Sequence, residues 1–316
     1  YGGWSSVVSF TTRNSFIPVF EQAILTASDK ASNNYFGFSV DIDSSGTRII
    51  VGAYGATANG YSGAGKAYIF VRSGTTWTEE AILTADDTVA NTYSFGFCVS
   101  IDSTGTRTVV GAIYAKAGTV SNAGQAYVFS RSGTTWSQEA KLSEGANAAA
   151  YADFGGALDI SSDGVRIVVG AKNASLSGQS SAGRAYVFSR SGTTWSQEAV
   201  LTASDIAANS YFGKGVSITI DGSRLVIGAR GASPSGLTLA GQAYVFSRSG
   251  TSWTQEAILT AADKATNDNF GDVLSIDANG TRIIVGSYMA SRNNTTNIGK
   301  AYIFVRSGTT WTEEAI

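Results

Sequence analysis

Few residues of this chain have the types and spacing that catalysis requires. Histidine, the commonest general base and transition-metal ligand, is absent from all 316 positions. The paired acids Asp86-Asp87 and Glu79-Glu80 are adjacent in sequence. If they lie on strands, the two side chains of each pair point to opposite faces rather than toward one substrate. Without a nucleophile–base set, a metal cluster or a phosphate-binding loop, the sequence predicts a protein that is not an enzyme and needs no cofactor.

Other residues suit binding rather than catalysis. Tyrosine rings offer flat apolar faces, and lysine, asparagine and arginine side chains donate hydrogen bonds, so together they suit a sugar or a peptide. The candidate ligand-binding residues are Tyr54, Tyr61, Tyr114, Lys172, Asn173, Arg230, Tyr288 and Arg292. A second set, which would line clefts between structural units, is Tyr35, Tyr93, Tyr151 and Tyr211. The Asn-x-Ser/Thr pattern of N-glycosylation, which matters only in a secreted eukaryotic protein, begins at Asn173, Asn279, Asn293 and Asn294.

The composition excludes several classes of function. A formal net charge of −2 provides no basic field for the phosphates of a nucleic acid. No stretch approaches the ~18 consecutive apolar residues of a membrane-spanning helix, so we expect no membrane insertion. The hydrophobic content of 43% is ample for a large core.

The elements that must position these residues repeat at a fixed period. Tryptophan recurs every 58 or 59 residues, at Trp77, Trp136, Trp195, Trp253 and Trp311. A Phe-Gly pair keeps the same period and begins at Phe36, Phe95, Phe154, Phe212 and Phe270. Such self-similarity indicates an array of equivalent structural units. Residues shared by all units therefore belong to the scaffold, and function should lie where the units differ.

Several of the shared residues are predicted to hold the fold. Gly52 and its four equivalents are expected to allow a close backbone approach near a crowded axis. Recurrent charges such as Arg48 and Glu80 are expected to pair within or between units. The single cysteine, Cys98, lies at the repeat position of Ser39 on a predicted inner strand, where we expect a buried structural thiol.

Each unit is predicted to contain four short strands. In the first complete unit, alternating or β-branched segments predict strands over 36–43, 47–53, 66–72 and 76–83. Repeated four-stranded units of ~59 residues, which bury their faces by stacking on one another, are typical of a β-propeller. The predicted fold is therefore an all-β propeller of four-stranded antiparallel blades.

The shared residues resemble a known repeat. Each unit contains, in order, Phe-Gly, a strand, and then Val-Gly-Ala and Gly-x-Ala-Tyr-Val-Phe or close variants of them. This order resembles the FG-GAP repeat of integrin α-subunit propellers. It resembles the FG-GAP-like repeats of microbial surface proteins more closely still. The similarity covers about residues 20–316. Each Phe-Gly pair is followed at the same spacing by the Val-Gly-Ala segment, residues 51–53 in the first unit, or by its equivalent. The chain departs from the family where a proline should follow Gly-Ala, since the residues there are Tyr54, Ile113, Lys172, Arg230 and Tyr288.

The resemblance also implies that calcium binding should be considered. Several integrin blades carry a loop that resembles Asp-x-Asp-x-Asp-Gly-x-x-Asp, and the nearest match here is Asp41, Asp43 and Ser45. Calcium takes about six to eight oxygen ligands, and Ile49 stands at the closing carboxylate position, so this set would be a weak site. The plainer expectation is a tight hairpin turn stabilised by Asp, Ser and Gly.

The predicted units form one propeller domain with an additional half-blade. Blades 1 to 5 occupy 26–83, 84–142, 143–201, 202–259 and 260–316, and segment 1–25 supplies strands of a half-blade. Within that segment, residues 21–25 copy 79–83, with Val19 at the position of the tryptophan. Three arrangements stay open: a closed five-blade ring with an extra hairpin, part of a longer six- or seven-blade protein, or a half-blade completed by another chain.

The long loops are expected to lie on one face. Because the strands are antiparallel, the loops after the second and fourth strands meet at the same end, and those loops vary while the strands barely change. The resemblance implies an extracellular recognition or adhesion protein at a cell or virion surface, which binds a protein or glycan through these loops. One alternative is a structural subunit of an extracellular filament, sheath or virion that self-associates through the N-terminal half-blade. The other is a lectin with sites between blades.

Overall fold

The computed structural model describes residues 22–88, 93–291 and 295–315 of the chain. The half-blade strands predicted before residue 22 lie outside these residues, as do Arg292, Asn293 and Asn294. The strands, in chain order, are β1 (Ser39–Ile42), β2 (Arg48–Ala53), β3 (Lys66–Ser73), β4 (Thr76–Leu83), β5 (Phe95–Ile101), β6 (Arg107–Ala112), β7 (Gln125–Ser132), β8 (Thr135–Leu142), β9 (Ala157–Ile160), β10 (Arg166–Ala171), β11 (Arg184–Ser191), β12 (Thr194–Leu201), β13 (Phe212–Ile218), β14 (Arg224–Ala229), β15 (Gln242–Ser249), β16 (Ser252–Leu259), β17 (Phe270–Ile276), β18 (Arg282–Ser287), β19 (Lys300–Ser307) and β20 (Thr310–Ala315).

Four consecutive strands form each sheet, and the five sheets follow one another along the chain. Every sheet is antiparallel, with its strands side by side in sequence order. The first strand of each sheet lies innermost and contacts the first strand of the next sheet. The prediction of a propeller built from five four-stranded blades is therefore confirmed. Among the described residues, no helix has the length and hydropathy that crossing a membrane would require.

Aromatic side chains form the core between blades. In blade 2 the ring of Phe95 meets Tyr127 edge to face, with centroids 5.5 Å apart, and Phe129 at 6.0 Å. The buried Tyr127 hydroxyl donates a hydrogen bond of 2.8 Å to Asp87, which precedes the first strand of the blade. The same arrangement recurs in the other blades, with Glu144 in place of the aspartate in blade 3. Burial of such rings supplies most of the apolar contact that stacks the blades.

Glycine allows the inner strands of neighbouring blades to approach each other. A Cβ atom on Gly111 would lie 2.0 Å from the carbonyl oxygen of Gly155 in the next blade. The equivalent distances at Gly52, Gly170 and Gly228 are 2.1, 2.0 and 1.9 Å. No side chain fits in that space, so the expected close backbone approach is confirmed.

A β-bulge on the outermost strand aims one glutamate at the neighbouring blade. In blade 2 the pairing of β7 with β8 shifts between Val128 and Phe129, which leaves Glu139 without an opposite residue. Its carboxylate accepts hydrogen bonds from Arg107 of its own blade and from Arg190 and Trp195 of the next. Bulges commonly re-aim a side chain in this way. The recurrent charges thus pair within and between blades, as the sequence predicted.

The first and last blades each expose one apolar face. Val40 on β1 is 62% exposed, whereas its equivalent Val99 in blade 2 is 5% exposed. At the other end, Val273 on β17 is 61% exposed and Ile284 on β18 is 46% exposed. Within the part of the chain that the structure describes, these two faces lack the neighbouring blade that covers their equivalents.

Candidate functional site

Three variable repeat positions meet at the inner end of the loop-bearing face. They are the residue before Phe-Gly, the second residue after that phenylalanine, and the residue that follows the second strand of each blade. We call this set the axial rim. Its members are Tyr35, Phe38 and Tyr54 in blade 1, Ser94, Phe97 and Ile113 in blade 2, Asp153, Gly156 and Lys172 in blade 3, Tyr211, Lys214 and Arg230 in blade 4, and Asn269, Asp272 and Tyr288 in blade 5. The strands around these positions hardly change between blades, so the variation is confined to the rim.

The first of these positions has a left-handed backbone in every blade. Its φ angles lie between 54° and 61°. Serine, aspartate and asparagine tolerate this conformation, but tyrosine does so only at a cost of about 1–3 kcal/mol. Blades 1 and 4 nevertheless place Tyr35 and Tyr211 there. Because strained residues cluster at functional sites, these two rings identify the rim as a candidate site.

Blades 1 and 2 form an aromatic half of the axial rim. Tyr35 stacks on Tyr54 with ring centroids 4.8 Å apart and planes at 4°. Phe38 lies 4.6 Å from Tyr54 and 5.0 Å from Phe97 of the next blade. Tyr35 and Phe38 are 53% and 52% exposed. The cluster therefore presents flat apolar faces to solvent.

Blades 3 to 5 form a charged half. The ammonium of Lys172 contacts the carboxylate of Asp153, to which the Asn173 amide also donates. Asp272 pairs with Lys214 at 3.4 Å and with Arg230 at 3.2 Å. Arg230 also lies over the ring of Tyr211, 5.6 Å from its centroid, and 3.5 Å from the hydroxyl of Tyr288. Residues of three blades are thereby brought into one polar cluster.

The charges in this half influence one another. Burial, followed by the nearby cations Lys214 and Arg230, lowers the pKa of Lys172 to about 8. The carboxylate of Asp272 opposes that shift. A lysine with a lowered pKa in a cleft, next to specific charge partners, is a recognised sign of a functional site.

The structure brings together five of the eight candidate ligand-binding residues. Tyr54, Lys172, Asn173, Arg230 and Tyr288 all belong to the axial rim or contact it. The other three do not join them: Tyr61 packs against the core, Tyr114 is 37% exposed on the loop after β6, and Arg292 lies outside the described residues.

The second predicted set of tyrosines divides between different environments. Tyr35 and Tyr211 belong to the rim, whereas Tyr93 is 3% exposed within the core and Tyr151 is 60% exposed. Among the asparagines of the glycosylation pattern, Asn173 contacts the rim and Asn279 lies in an exposed turn. The remaining two lie outside the described part of the chain.

Sequence reasoning missed nine of the fifteen rim residues. Phe38, Phe97 and Lys214 stand at or near the start of the first strand rather than in a long loop, and Asp153 and Asp272 flank a Phe-Gly pair. The signal that could have found them is variation within an otherwise constant segment of the repeat.

The three calcium-candidate residues do not face a common point. Asp43 accepts bonds from Thr47 and Arg48 backbone amides and from the Ser45 hydroxyl within its own turn. Asp41 instead accepts from Ser100 and Ile101 of the next blade. In the described ranges, no group of three or more Cys, Asp or Glu residues is placed to hold a metal ion.

Two half-buried carboxylates share one hydroxyl on the inner strands. The Ser100 hydroxyl lies 2.9 Å from Asp41 and 3.1 Å from Asp159. Since a hydroxyl has one proton, it satisfies both carboxylates only when one of them is itself protonated. Accordingly, burial and the neighbouring Asp41 raise the pKa of Asp159 to about 6. Nearby, burial raises the pKa of the Cys98 thiol to about 11, which suits the expected structural role.

The paired acids occupy different environments. Glu79 accepts bonds from Ser28, before blade 1, whereas Glu80 accepts from Arg48 and from Trp136 of blade 2. The strand-based expectation of opposite faces is thus confirmed for this pair. It is wrong for Asp86 and Asp87, which lie in a turn and both pair with Lys141, at 2.7 and 3.0 Å. A turn does not alternate side chains as a strand does.

Comparison with one solved structure supports the fold. Hydrazine synthase of Kuenenia stuttgartiensis is similar at a TM-score of 0.54 and 10% identity, over 92% of this chain and 69% of that one. TolB from Acinetobacter baumannii gives a TM-score of 0.46 and 12% identity, over 86% of this chain. The chain spans about half (52%) of the TolB chain. At these identities the likeness concerns the fold alone. No curated protein matches the sequence.

The sequence profile of the FG-GAP repeat matches five times, over residues 19–70, 77–129, 136–188, 195–246 and 253–304. The second match begins on β4 of blade 1 and ends on β7 of blade 2, so the family's repeat joins one blade to the next. Together, the matched residues cover most of the chain and include strands of all five blades. The chain therefore belongs to the FG-GAP repeat family.

Proposed function

We propose that the chain is a non-enzymatic recognition protein that binds its ligand at the axial rim, outside the cell or on a cell or virion surface. The observation that supports this most is the convergence of the variable repeat positions on one place, above strands that scarcely vary. A repeat protein whose differences collect at one surface has the arrangement of a rigid scaffold that carries a binding site. The exposed aromatic faces favour a glycan ligand over a protein, because the C–H faces of a sugar ring stack on such rings.

A glycan array tests this function. We expect the native protein to bind a subset of the glycans and Tyr54→Ala to lose at least about tenfold in affinity, since its ring contacts three others in the aromatic half. Tyr114→Ala is the matched control, because Tyr114 lies on the equivalent loop and outside that cluster. It should bind as the native protein does, and thermal unfolding of both variants should show that they are folded. Binding to no glycan, or binding that survives Tyr54→Ala, would contradict the proposal.

A structural role is the second candidate, and the exposed end faces favour it. Each of Glu80, Glu139, Glu198 and Glu256 accepts a bond from the tryptophan of the following blade. In the described residues, Glu314 of blade 5 pairs only with Arg282, and Trp77 of blade 1 has no carboxylate partner. Blade 5 of one copy therefore offers the surface that blade 1 of a second copy would cover. Such head-to-tail contacts build an open filament when the rotation between copies does not close a ring, and this outcome would suit a filament or sheath.

Sedimentation over a range of concentrations tests this assembly. We expect the native protein to form larger species as its concentration rises, and Val40→Glu to remain monomeric because it places a charge on an apolar face. Val200→Glu is the control, since Val200 is 37% exposed on an outer strand of blade 3 and should not affect assembly. A native protein that stays monomeric at every concentration would rule out this second role.

A further inference from the structure

The charged half of the axial rim has one more cation than anion. Lys172, Lys214 and Arg230 carry positive charge, and Asp153 and Asp272 carry negative charge. The side chains of the three cations are 25%, 27% and 31% exposed, whereas those of the two acids are 12% and 17% exposed. The two carboxylates are thus more deeply buried than the cations that pair with them. One further carboxylate would neutralise the cluster.

The fold does not need these charges. At the repeat position of Lys172, blades 1 and 2 have Tyr54 and Ile113. At that of Lys214, they have Phe38 and Phe97. Their second and third strands nevertheless pair as those of blades 3 and 4 do. Two blades therefore form without any charge at these positions. A purely structural ion-pair cluster would be expected in every unit, as the arginine–glutamate pairs are.

A small cleft joins the charged half to the aromatic half. Its volume is about 120 Å³, and its lining includes Phe97, Asp153, Gly156, Lys172 and Lys214. Gly156 stands where blades 1 and 2 have phenylalanine, so the rim lacks a large side chain at that point. This volume is well below the roughly 300 Å³ of a pocket for a drug-sized ligand. The cleft is thus sized for an acidic group and its neighbouring atoms, with the rest of a ligand lying outside.

We propose that the axial rim binds a carboxylate-bearing sugar, with the carboxylate held in the cleft by Lys172 and Lys214, the charge of Arg230 nearby, and the ring against the aromatic half. The inference rests on the proposed recognition function and names the class of ligand. Charge-assisted hydrogen bonds to lysine and arginine are among the strongest available to a carboxylate. The adjacent rings of Phe97, Phe38 and Tyr54 provide the apolar surface that a sugar needs and that a free anion would not use.

Affinity for the acidic sugar should depend on pH. The charged groups that face Lys172 are Asp153, Lys214, Arg230 and Asp272, and Arg230 in turn meets Tyr211 and Tyr288. As the pH rises through the lowered pKa of Lys172, this side chain loses its charge, and one cation no longer attracts the ligand. The affinity therefore falls between pH 7 and pH 9, and a neutral sugar shows no such change.

Titration with methyl glucuronide and methyl glucoside, followed by NMR, tests the inference on the full chain. The native protein is expected to bind the glucuronide at least tenfold more tightly than the glucoside at pH 7. Lys172→Ala and Lys214→Ala should each weaken glucuronide binding about tenfold, which is the loss of one charge-assisted bond. Lys172→Arg should retain binding at pH 9, because arginine keeps its charge there. Lys116→Ala, at an exposed lysine on the loop-bearing face of blade 2, should bind as the native protein does.

The outcomes separate this inference from the proposed function. Equal binding of the two sugars, with both lost in Tyr54→Ala, would overturn the carboxylate inference and leave the recognition function standing. Glucuronide binding that is unchanged in Lys172→Ala and Lys214→Ala would also overturn it, as would equally tight binding of a short acidic peptide. Binding of neither sugar would count against both the inference and the glycan-binding function.

Discussion

Replacing Gly111 with alanine is expected to lower the free energy of unfolding by about 3 kcal/mol. The added Cβ would lie 2.0 Å from the carbonyl oxygen of Gly155 and 3.0 Å from its carbonyl carbon. Both atoms belong to the backbone of the next blade, so no side chain can rotate to make room. Blades 2 and 3 would have to separate along their inner strands, and the aromatic contacts between them would loosen.

Gly286→Ala is the matched control for this change. Gly286 occupies the same repeat position in blade 5, where the nearest atom to a new Cβ is Cγ2 of Val273, at 2.7 Å. That side chain is 61% exposed and can turn away. Urea unfolding followed by tryptophan fluorescence should therefore show a small loss for Gly286→Ala and a large loss for Gly111→Ala. Equal losses would mean that the cost arises within the blade rather than between blades.

Replacing Glu139 with alanine is also expected to cost about 3 kcal/mol of stability. The Glu139 side chain is 7% exposed and accepts bonds of 2.6 Å from Arg190 and 2.7 Å from Trp195. Its removal leaves Arg107 and Arg190 half-buried without a counter-charge and the indole N–H without an acceptor. Breaking such a pair from one side is costly, because the remaining charge stays desolvated.

The same position in blade 5 provides a control and a pH test. Glu314 and its partner Arg282 are 44% and 57% exposed, so Glu314→Ala should leave the urea midpoint close to that of the native protein. Although burial opposes it, bonding to Arg190 and Trp195 lowers the pKa of Glu139. Stability from this group is present above its ordinary pKa of 4.5 and is lost as the pH falls through the lowered value. The difference between native protein and Glu139→Ala should shrink over that interval, and a constant difference would contradict this account.

The repeat allowed much of the fold to be predicted from sequence. The spacing of Phe36, Trp77 and their equivalents fixes the number of described blades, and alternation fixes the strands. Local patterns were less informative about the bulge that aims Glu80 and its equivalents at the next blade, since a bulge depends on how two strands pair. The rule that adjacent side chains of a strand point to opposite faces does not apply to Asp86 and Asp87, because they lie in a turn.

The candidate site was predictable only in part. Tyr54, Lys172 and Arg230 could be chosen because they follow a strand in a variable loop. Their partners Phe38 and Lys214 stand by a strand start, some 16 residues earlier in each unit. Only the pairing of the first two strands brings these positions to the same end of a blade, and only the stacking of blades joins them into a rim.

The contact between inner strands has a consequence for how such chains can evolve. Gly111 and its equivalents in blades 1, 3 and 4 approach the next blade through main-chain atoms, which every unit carries whatever its loops contain. A duplicated unit with glycine at this position would meet its neighbours through the same contact. Unequal recombination can therefore lengthen the array without rebuilding this contact, and the rim residues of each copy are free to diverge toward new ligands.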